Sequence, residues 1–348
     1  MLRTLELLPF ALLVACADVN SVVGGACAEG YVLRDNACVL DSLVTSDGGA
    51  SDAAGDPDGH RLEGGKSNGD GGEAQSDASS PLTALDPGTM CTPPEVRCAG
   101  LCVDTSSDPD NCGACGHVCP SNACSAGKCV GAAPGHVVVI GHDYETAPST
   151  FSSQARVLVN ATLIPASNPL RVLSYEEYAD PSAVNNAEAV VTAEAKQLGR
   201  SVTFAPVSSS QTVSSTIDDA GYDVLLVHDQ RSAPAGTLAS IGSSWQSDGH
   251  VAAFLHAGGV VVVLTGGGGT GEMPGLATSA GLLDVTSQST VTGPLTVLAP
   301  ADAVGSGVVS PYVPKPSPVT LATEANGGDG VWVVAQNGAP FVVHKIMP

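Results

Sequence analysis

Val260-Val-Val-Val-Leu264 is an unbroken run of branched apolar residues, entered through Gly258-Gly259 and left through Thr265-Gly-Gly-Gly-Gly-Thr270-Gly271. A short apolar run bounded by glycine reads as a strand buried on both faces, and such strands belong to parallel sheets covered by helices on each side. Four similar segments precede it: His136–Gly141 (HVVVIG), Leu170–Ser174 (LRVLS), Ser201–Val207 and Tyr222–His228 (YDVLLVH). Helical spacing lies between them. Ser149–Asn160 suits a helix, Ser182–Gly199 carries Val184, Ala187, Val190, Val191, Ala195 and Leu198 on one face, and Ala235–Ala257 leads into the glycine pair. After about residue 285 the pattern shortens to strands at Leu295–Ala299, Val319–Thr323, Val331–Gln336 and Phe341–His344, with Asn337-Gly338 as a hairpin turn. The expectation is an α/β domain over residues 134–348, with a flavodoxin-like parallel sheet and a β-rich C-terminal extension.

Upstream the composition changes. Residues 41–90 hold ten acids and two bases among Gly, Ser, Ala and Asp, too few apolar groups to offset the chain entropy of folding. They read as a disordered acidic linker with a mean reach of about 40 Å. Eight of the eleven cysteines fall within residues 91–129: Cys91, Cys98, Cys102, Cys112, Cys115, Cys119, Cys124 and Cys129. An even count in a Gly/Asn/Pro-rich segment reads as a disulfide module, here over residues 91–130, whose connectivity is one of about 105 possibilities. Cys112-x2-Cys115-x3-Cys119-Pro120 comes near an iron–sulfur run, but its spacing is off by one and a ligand is missing, so no metal is expected. Cys27 and Cys38 would form a small loop within residues 16–40, and residues 131–348 contain no cysteine.

At the N-terminus, Leu7–Ala15 is an apolar run of nine residues ending at Cys16. It is too short to span a bilayer, which takes roughly 20 residues, and suits a signal-peptide core over residues 1–15. Leu13-Val14-Ala15-Cys16 resembles the bacterial lipobox, which implies cleavage before Cys16, its acylation, and, with Ala17 in place of an aspartate, retention at the outer membrane of a Gram-negative envelope. The net charge of −22 includes no basic segment, so nucleic acid is not an expected partner. The expected partners are the membrane, through the lipid, and an envelope protein or glycan.

Two further resemblances concern the larger modules. Cys-Val-Asp at 102–104, Ser-Asp-Pro-Asp-Asn-Cys at 107–112, Cys-Gly-Ala-Cys-Gly at 112–116 and Gly127-Lys-Cys129 resemble the stigma-specific family of cysteine-rich secreted proteins. The resemblance implies an extracytoplasmic module. Phe254-Leu-His-Ala-Gly-Gly-Val-Val-Val-Val-Leu264, with Tyr222-Asp-Val-Leu-Leu-Val before it, is similar to the class I glutamine amidotransferase-like superfamily. Active members carry a nucleophilic cysteine after that strand. This chain has Thr265 and a glycine run, so thiol-based amide hydrolysis is not implied, and no G-x-S-x-G elbow replaces it.

Ligands of open α/β sheets bind at the carboxyl ends of the strands. His142-Asp143-Tyr144-Glu145, Glu176-Glu177, His228-Asp229 and the Gly266–Gly269 loop would gather there. The candidate pocket is therefore His142, Asp143, His228, Asp229, Gly266 and Gly268, although helix caps and strand ends need such polar residues in any case. Gly266-x-Gly268-x-x-Gly271 matches the dinucleotide pattern after the fifth strand instead of the first, so it reads as a turn and no cofactor is expected. The functional expectation is a lipid-anchored envelope protein that binds without catalysis. The alternative is an envelope hydrolase, metal-dependent or not, built on the His and Asp residues at the strand ends.

Overall fold

The central sheet has eight strands, of which five adjacent ones run parallel. The structure is a computed structural model that describes residues 31–34, 37–40, 90–219, 221–266, 272–315, 318–323 and 330–348. Cys16, Cys27, Gly268 and the acidic linker up to residue 89 lie outside the described residues. The chain divides into two units, Met1–Ser76 and Asp77–Pro348. In the first, β1 (Tyr31–Arg34) pairs antiparallel with β2 (Ala37–Leu40). Among the described residues no helix is long and apolar enough to cross a membrane.

The second unit opens with the cysteine module, built from two small antiparallel pairs: β3 (Val96–Cys98) with β4 (Leu101–Val103), and β5 (Cys124–Ser125) with β6 (Lys128–Cys129). Four disulfides join Cys91 to Cys102, Cys98 to Cys115, Cys112 to Cys124 and Cys119 to Cys129. The bridges overlap along the chain and close loops of 10–17 residues, each worth about 3 kcal/mol in lost unfolded-state entropy. With so small a core, they are the module's principal support. The acidic run between Cys102 and Cys112 is turn chemistry. Asp104 accepts from the Ser106 amide and from the Ser106 and Ser107 hydroxyls, Asp108 from the Asp110 amide, and Asn111 from the Gly116 amide.

The α/β body follows: β7 (Gly135–Ile140), α1 (Ser153–Thr162), β8 (Leu170–Tyr175), α2 (Pro181–Gln197), β9 (Val202–Val207), α3 (Ser210–Asp219), β10 (Val224–Val227), α4 (Thr237–Asp248), α5 (His250–His256), β11 (Val260–Leu264) and α6 (Met273–Ser279). The extension comprises β12 (Val285–Thr290), β13 (Thr296–Val297), β14 (Val319–Thr323), β15 (Val331–Gln336) and β16 (Ala339–Met347). The sheet order is β13-β15-β16-β7-β11-β10-β8-β9, parallel from β7 to β9 and antiparallel from β7 to β13. β12 and β14 form a separate antiparallel pair. Every residue of β10 and β11 is buried, as a strand with helices on both faces requires. Alternate side chains divide between two cores. Val137, Val139, Leu225, Val227, Val261 and Val263 pack with α3, α4, α5 and α6, whereas Val138, Ile140, Val172, Leu226, Val262 and Leu264 pack with α1 and α2. Pro206, which has no amide proton to donate, sits on β9 at the sheet edge, where that loss is tolerated.

Several details differ from the sequence expectation. A flavodoxin-like sheet runs 2-1-3-4-5. Here the body's five parallel strands run 3-2-4-5-1, because the first strand, β7, lies beside β11. The long helix over 235–257 is two helices, broken where Gly249 adopts the left-handed conformation at φ 76°. Two helices, α3 and α6, were not anticipated. The Asn337-Gly338 hairpin is as expected, with φ of 51° and 81° and Gln336 paired with Ala339.

The cysteine module packs against the amino-terminal end of the parallel strands. The Val118 amide donates to Ser167 Oγ, and the Asn168 amide to the Gly116 carbonyl. The Ser167 hydroxyl donates at 2.6 Å to Asp223, which also accepts from the Arg171 amide at 2.7 Å and lies 3.6 Å from the His117 ring. Gly116 has φ of 71°, and a Cβ there would collide with the Asn168 carbonyl. The last glycine of Cys-Gly-Ala-Cys-Gly is thus a point of close backbone approach.

Candidate functional site

Two changes of helix side mark crevices at the carboxyl ends of the strands. α2 leaves β8 on one face of the sheet, and α4 and α5 leave the neighbouring β10 on the other. The same holds for α1 after β7 and α6 after β11. Such switch points are where α/β sheets receive ligands. The candidate residues sit at both, and they separate into three environments.

His142, just past β7, is fully buried. Its Nε2 lies 2.9 Å from the Tyr312 hydroxyl, and its ring meets Phe341 and Tyr144 edge-on, with centroids at 4.6 and 6.2 Å. Burial among these rings pushes its pKa down to about 3, so it is a neutral packing residue at physiological pH. Gly266 passes close to this turn, where a Cβ would strike the Gly141 and His142 carbonyls. Thr265 is buried and bound back to the sheet, its amide donating to the Ile140 carbonyl at 2.9 Å and its hydroxyl to the same oxygen at 3.3 Å.

Asp143 and Asp229 converge on Arg231, a residue the sequence reading did not single out. The guanidinium lies 3.3 Å from Asp143, 2.9 Å from Glu145 and 3.6 Å from Asp229. Three carboxylates share one cation, and two of them are buried. Burial pushes the Asp229 carboxyl up to about 7 against the pull of Arg231, with the Asp143 charge adding to the rise. Asp143 is also raised above the usual carboxylate range, again by burial first. The Asp229 Oδ2 atom is buried without a hydrogen-bond partner. Gln230 fixes this loop, its amide group donating to the Tyr175 and His228 carbonyls and accepting from the Tyr178 amide.

His228 belongs to a third group, at the β8–β10 crevice. Its Nε2 lies 3.0 Å from Ser174 Oγ, and Ser174 donates at 2.7 Å to Glu188 on α2. A carboxylate oxygen of Glu176, one of Glu188 and a ring nitrogen of His228 all lie within 4.8 Å of one another. Glu176 stood at a strand end in the sequence. Ser174 and Glu188 had no signal beyond lying on an expected strand and helix. Of the four residues His142, Asp143, His228 and Asp229, the structure brings the two aspartates together on Arg231, while His142 bonds to Tyr312 and His228 to Ser174.

Two other features invite a binding reading. Cys112, Cys119 and Cys129 bring three sulfurs together, but each is spent in a disulfide and offers no thiolate to a metal. A cavity of about 730 Å³ opens between the cysteine module and the amino ends of the strands, with His117, Lys128, Arg171, Tyr222, Asp223 and Phe254 in its walls. It lies at the opposite end from the switch points and is bounded by the packing interface itself, so the carboxyl-end groups remain the stronger candidates.

No curated protein and no solved structure matches the chain. Residues 85–132, the segment holding the four disulfides, match the Stigma-specific STIG1-like protein family.

Proposed function

We propose that the chain is a lipid-anchored protein of the bacterial outer membrane or cell surface whose α/β body binds a ligand without turning it over. The body is read as an amidotransferase-like, flavodoxin-type sheet in which the first strand of the domain takes the fifth place of the 2-1-3-4-5 order. The observation that carries the non-catalytic reading is Thr265. At the position where amidotransferases carry their nucleophile, this side chain is buried and its hydroxyl faces a backbone carbonyl. Nucleophilic catalysis needs an activated group in reach of the substrate, with a base beside it. The purified full chain is expected to show no hydrolysis of amide, ester, phosphate or glycoside substrates. Turnover lost in Thr265→Ala would overturn the reading.

One observation favours the hydrolase alternative. A carboxyl poised near neutrality, as burial makes Asp229, suits general acid–base chemistry. Turnover that survives Thr265→Ala and disappears in Asp229→Asn, with the circular dichroism unchanged, would establish that alternative.

A further inference from the structure

We propose that Glu176, Glu188 and His228 form a binding site for one divalent transition-metal ion of the zinc–manganese class, at the β8–β10 switch point. The proposal goes beyond the functional reading above and does not depend on where the protein resides.

Three observations meet there. The first is the donor set: two carboxylate oxygens and one imidazole nitrogen within 4.8 Å of one another, drawn from the turn after β8, from α2 and from the end of β10. Carboxylate with imidazole is the mixed oxygen–nitrogen chemistry that zinc and manganese accept, and three protein ligands leave coordination positions open for water or a ligand. Ligand atoms around one such ion lie at most about 4 Å apart, so binding needs a modest contraction. Both glutamates are only partly buried and have rotamers with which to supply it.

The second is an orphaned nitrogen. Ser174 gives its single proton to Glu188, so the hydrogen bond between Ser174 and His228 is donated by Nε2. His228 Nδ1 is then a bare lone pair, buried and without a hydrogen-bond partner. Burial holds the imidazole neutral, the form that ligates metals.

The third is uncompensated charge. Carboxylate oxygens of Glu176 and Glu188 lie within 4.8 Å of each other, close enough for two like charges to repel. The partner that Glu188 does have is a hydroxyl, and the neutral His228 contributes no positive charge. A divalent ion would relieve the repulsion between the two carboxylates. The location agrees, since a switch crevice is where an α/β sheet admits a ligand.

The test uses the full chain from an oxidising compartment, stripped with EDTA, dialysed, and titrated with Zn²⁺ alone and with Mn²⁺ alone. Calorimetry and elemental analysis are expected to find one ion per chain for at least one of the two metals, with a rise in melting temperature. Glu176→Gln, Glu188→Gln and His228→Gln should each weaken that binding roughly tenfold or more, while Asp284→Asn, an exposed acid elsewhere, leaves it unchanged. Glu176→Gln guards against misfolding, because its side chain lies in a partly exposed loop. Absence of stoichiometric binding by either ion, or binding that is equal in Glu176→Gln and the wild type, would overturn the site.

Discussion

His117 Nε2 lies 3.6 Å from the Asp223 carboxylate, and around that pair the disulfide module is fastened to the foot of β10. Asp223 is buried, which raises its pKa, and it accepts from both Ser167 and the Arg171 amide. Module and body therefore share one polar network. Asp223→Ala would strand the Ser167 hydroxyl and the Arg171 amide, at a cost of about 1–3 kcal/mol each. The expected result is a lower melting temperature and faster hydrogen exchange at the Val118 and Asn168 amides, both of which donate across this interface. Gly116→Ala should do the same through its clash with Asn168. Unchanged exchange at both amides in Asp223→Ala would refute the network's role.

The second prediction concerns redox state. All eight cysteines from Cys91 to Cys129 are paired, so intact-mass analysis after alkylation without reductant should find no label among them. Partial reduction should release the Val118 amide from protection before it affects β11, because the module has little core of its own. Peptide mapping that finds any other connectivity would contradict the fold described for this segment.

The legible part of the sequence was the part written in burial. β7, β10 and β11 are runs rich in branched apolar residues because both their faces are covered, and the flanking glycines and short length mark them as strands. The polar-rich helix α3 escaped notice because the apolar part of its buried face amounts to Val213 and Ile217 within SQTVSSTIDD, beside the buried Ser210 and Ser214. Strand order also escaped, since no local pattern records which strand lies beside β11. The site was half legible. Strand ends locate Asp143, Asp229, Glu176 and His228, but whether they converge depends on Arg231 and on Glu188, which read as an ordinary loop residue and an ordinary helix residue.

The anchor is a prediction from Leu13-Val14-Ala15-Cys16. Labelled fatty acid should enter the wild-type chain expressed in a Gram-negative host, and Cys16→Ser should abolish both labelling and partitioning into detergent. A wild-type chain that takes up no label would remove the lipoprotein reading while leaving the fold and the proposed ion site untouched.

The last prediction is the pH profile of stability. His142 and His228 have folded pKa values near 3 against an ordinary 6.5, and that of His136 is also lowered, by burial and by the adjacent His344. Between about pH 3 and 6.5 the unfolded chain binds these protons and the folded one refuses them, so stability is lost as pH falls below 6.5. For the two fully buried rings the loss is on the order of 5 kcal/mol each over that range. Asp229 works in the opposite direction. Its folded pKa of about 7 against an ordinary 3.8 means the folded state binds the extra proton, so stability falls as pH rises from about 4 to 7. Asp143, Asp223 and Glu188, also raised by burial, act in the same direction as Asp229, but the two histidines held near 3 have the larger shifts and dominate below pH 6.5, whereas above that Asp229 still titrates. Stability should therefore climb from pH 4 to a maximum near pH 6 and decline slightly beyond it. Thermal melts across pH 4–9 will show this. His142→Gln should flatten the acid limb, and Asp229→Asn should raise the melting temperature at pH 8 and have a shrinking effect toward pH 4. An Asp229→Asn variant that is destabilised equally at pH 4 and pH 8 would mean that its carboxylate is held by Arg231 as a favourable charge, and that burial does not dominate.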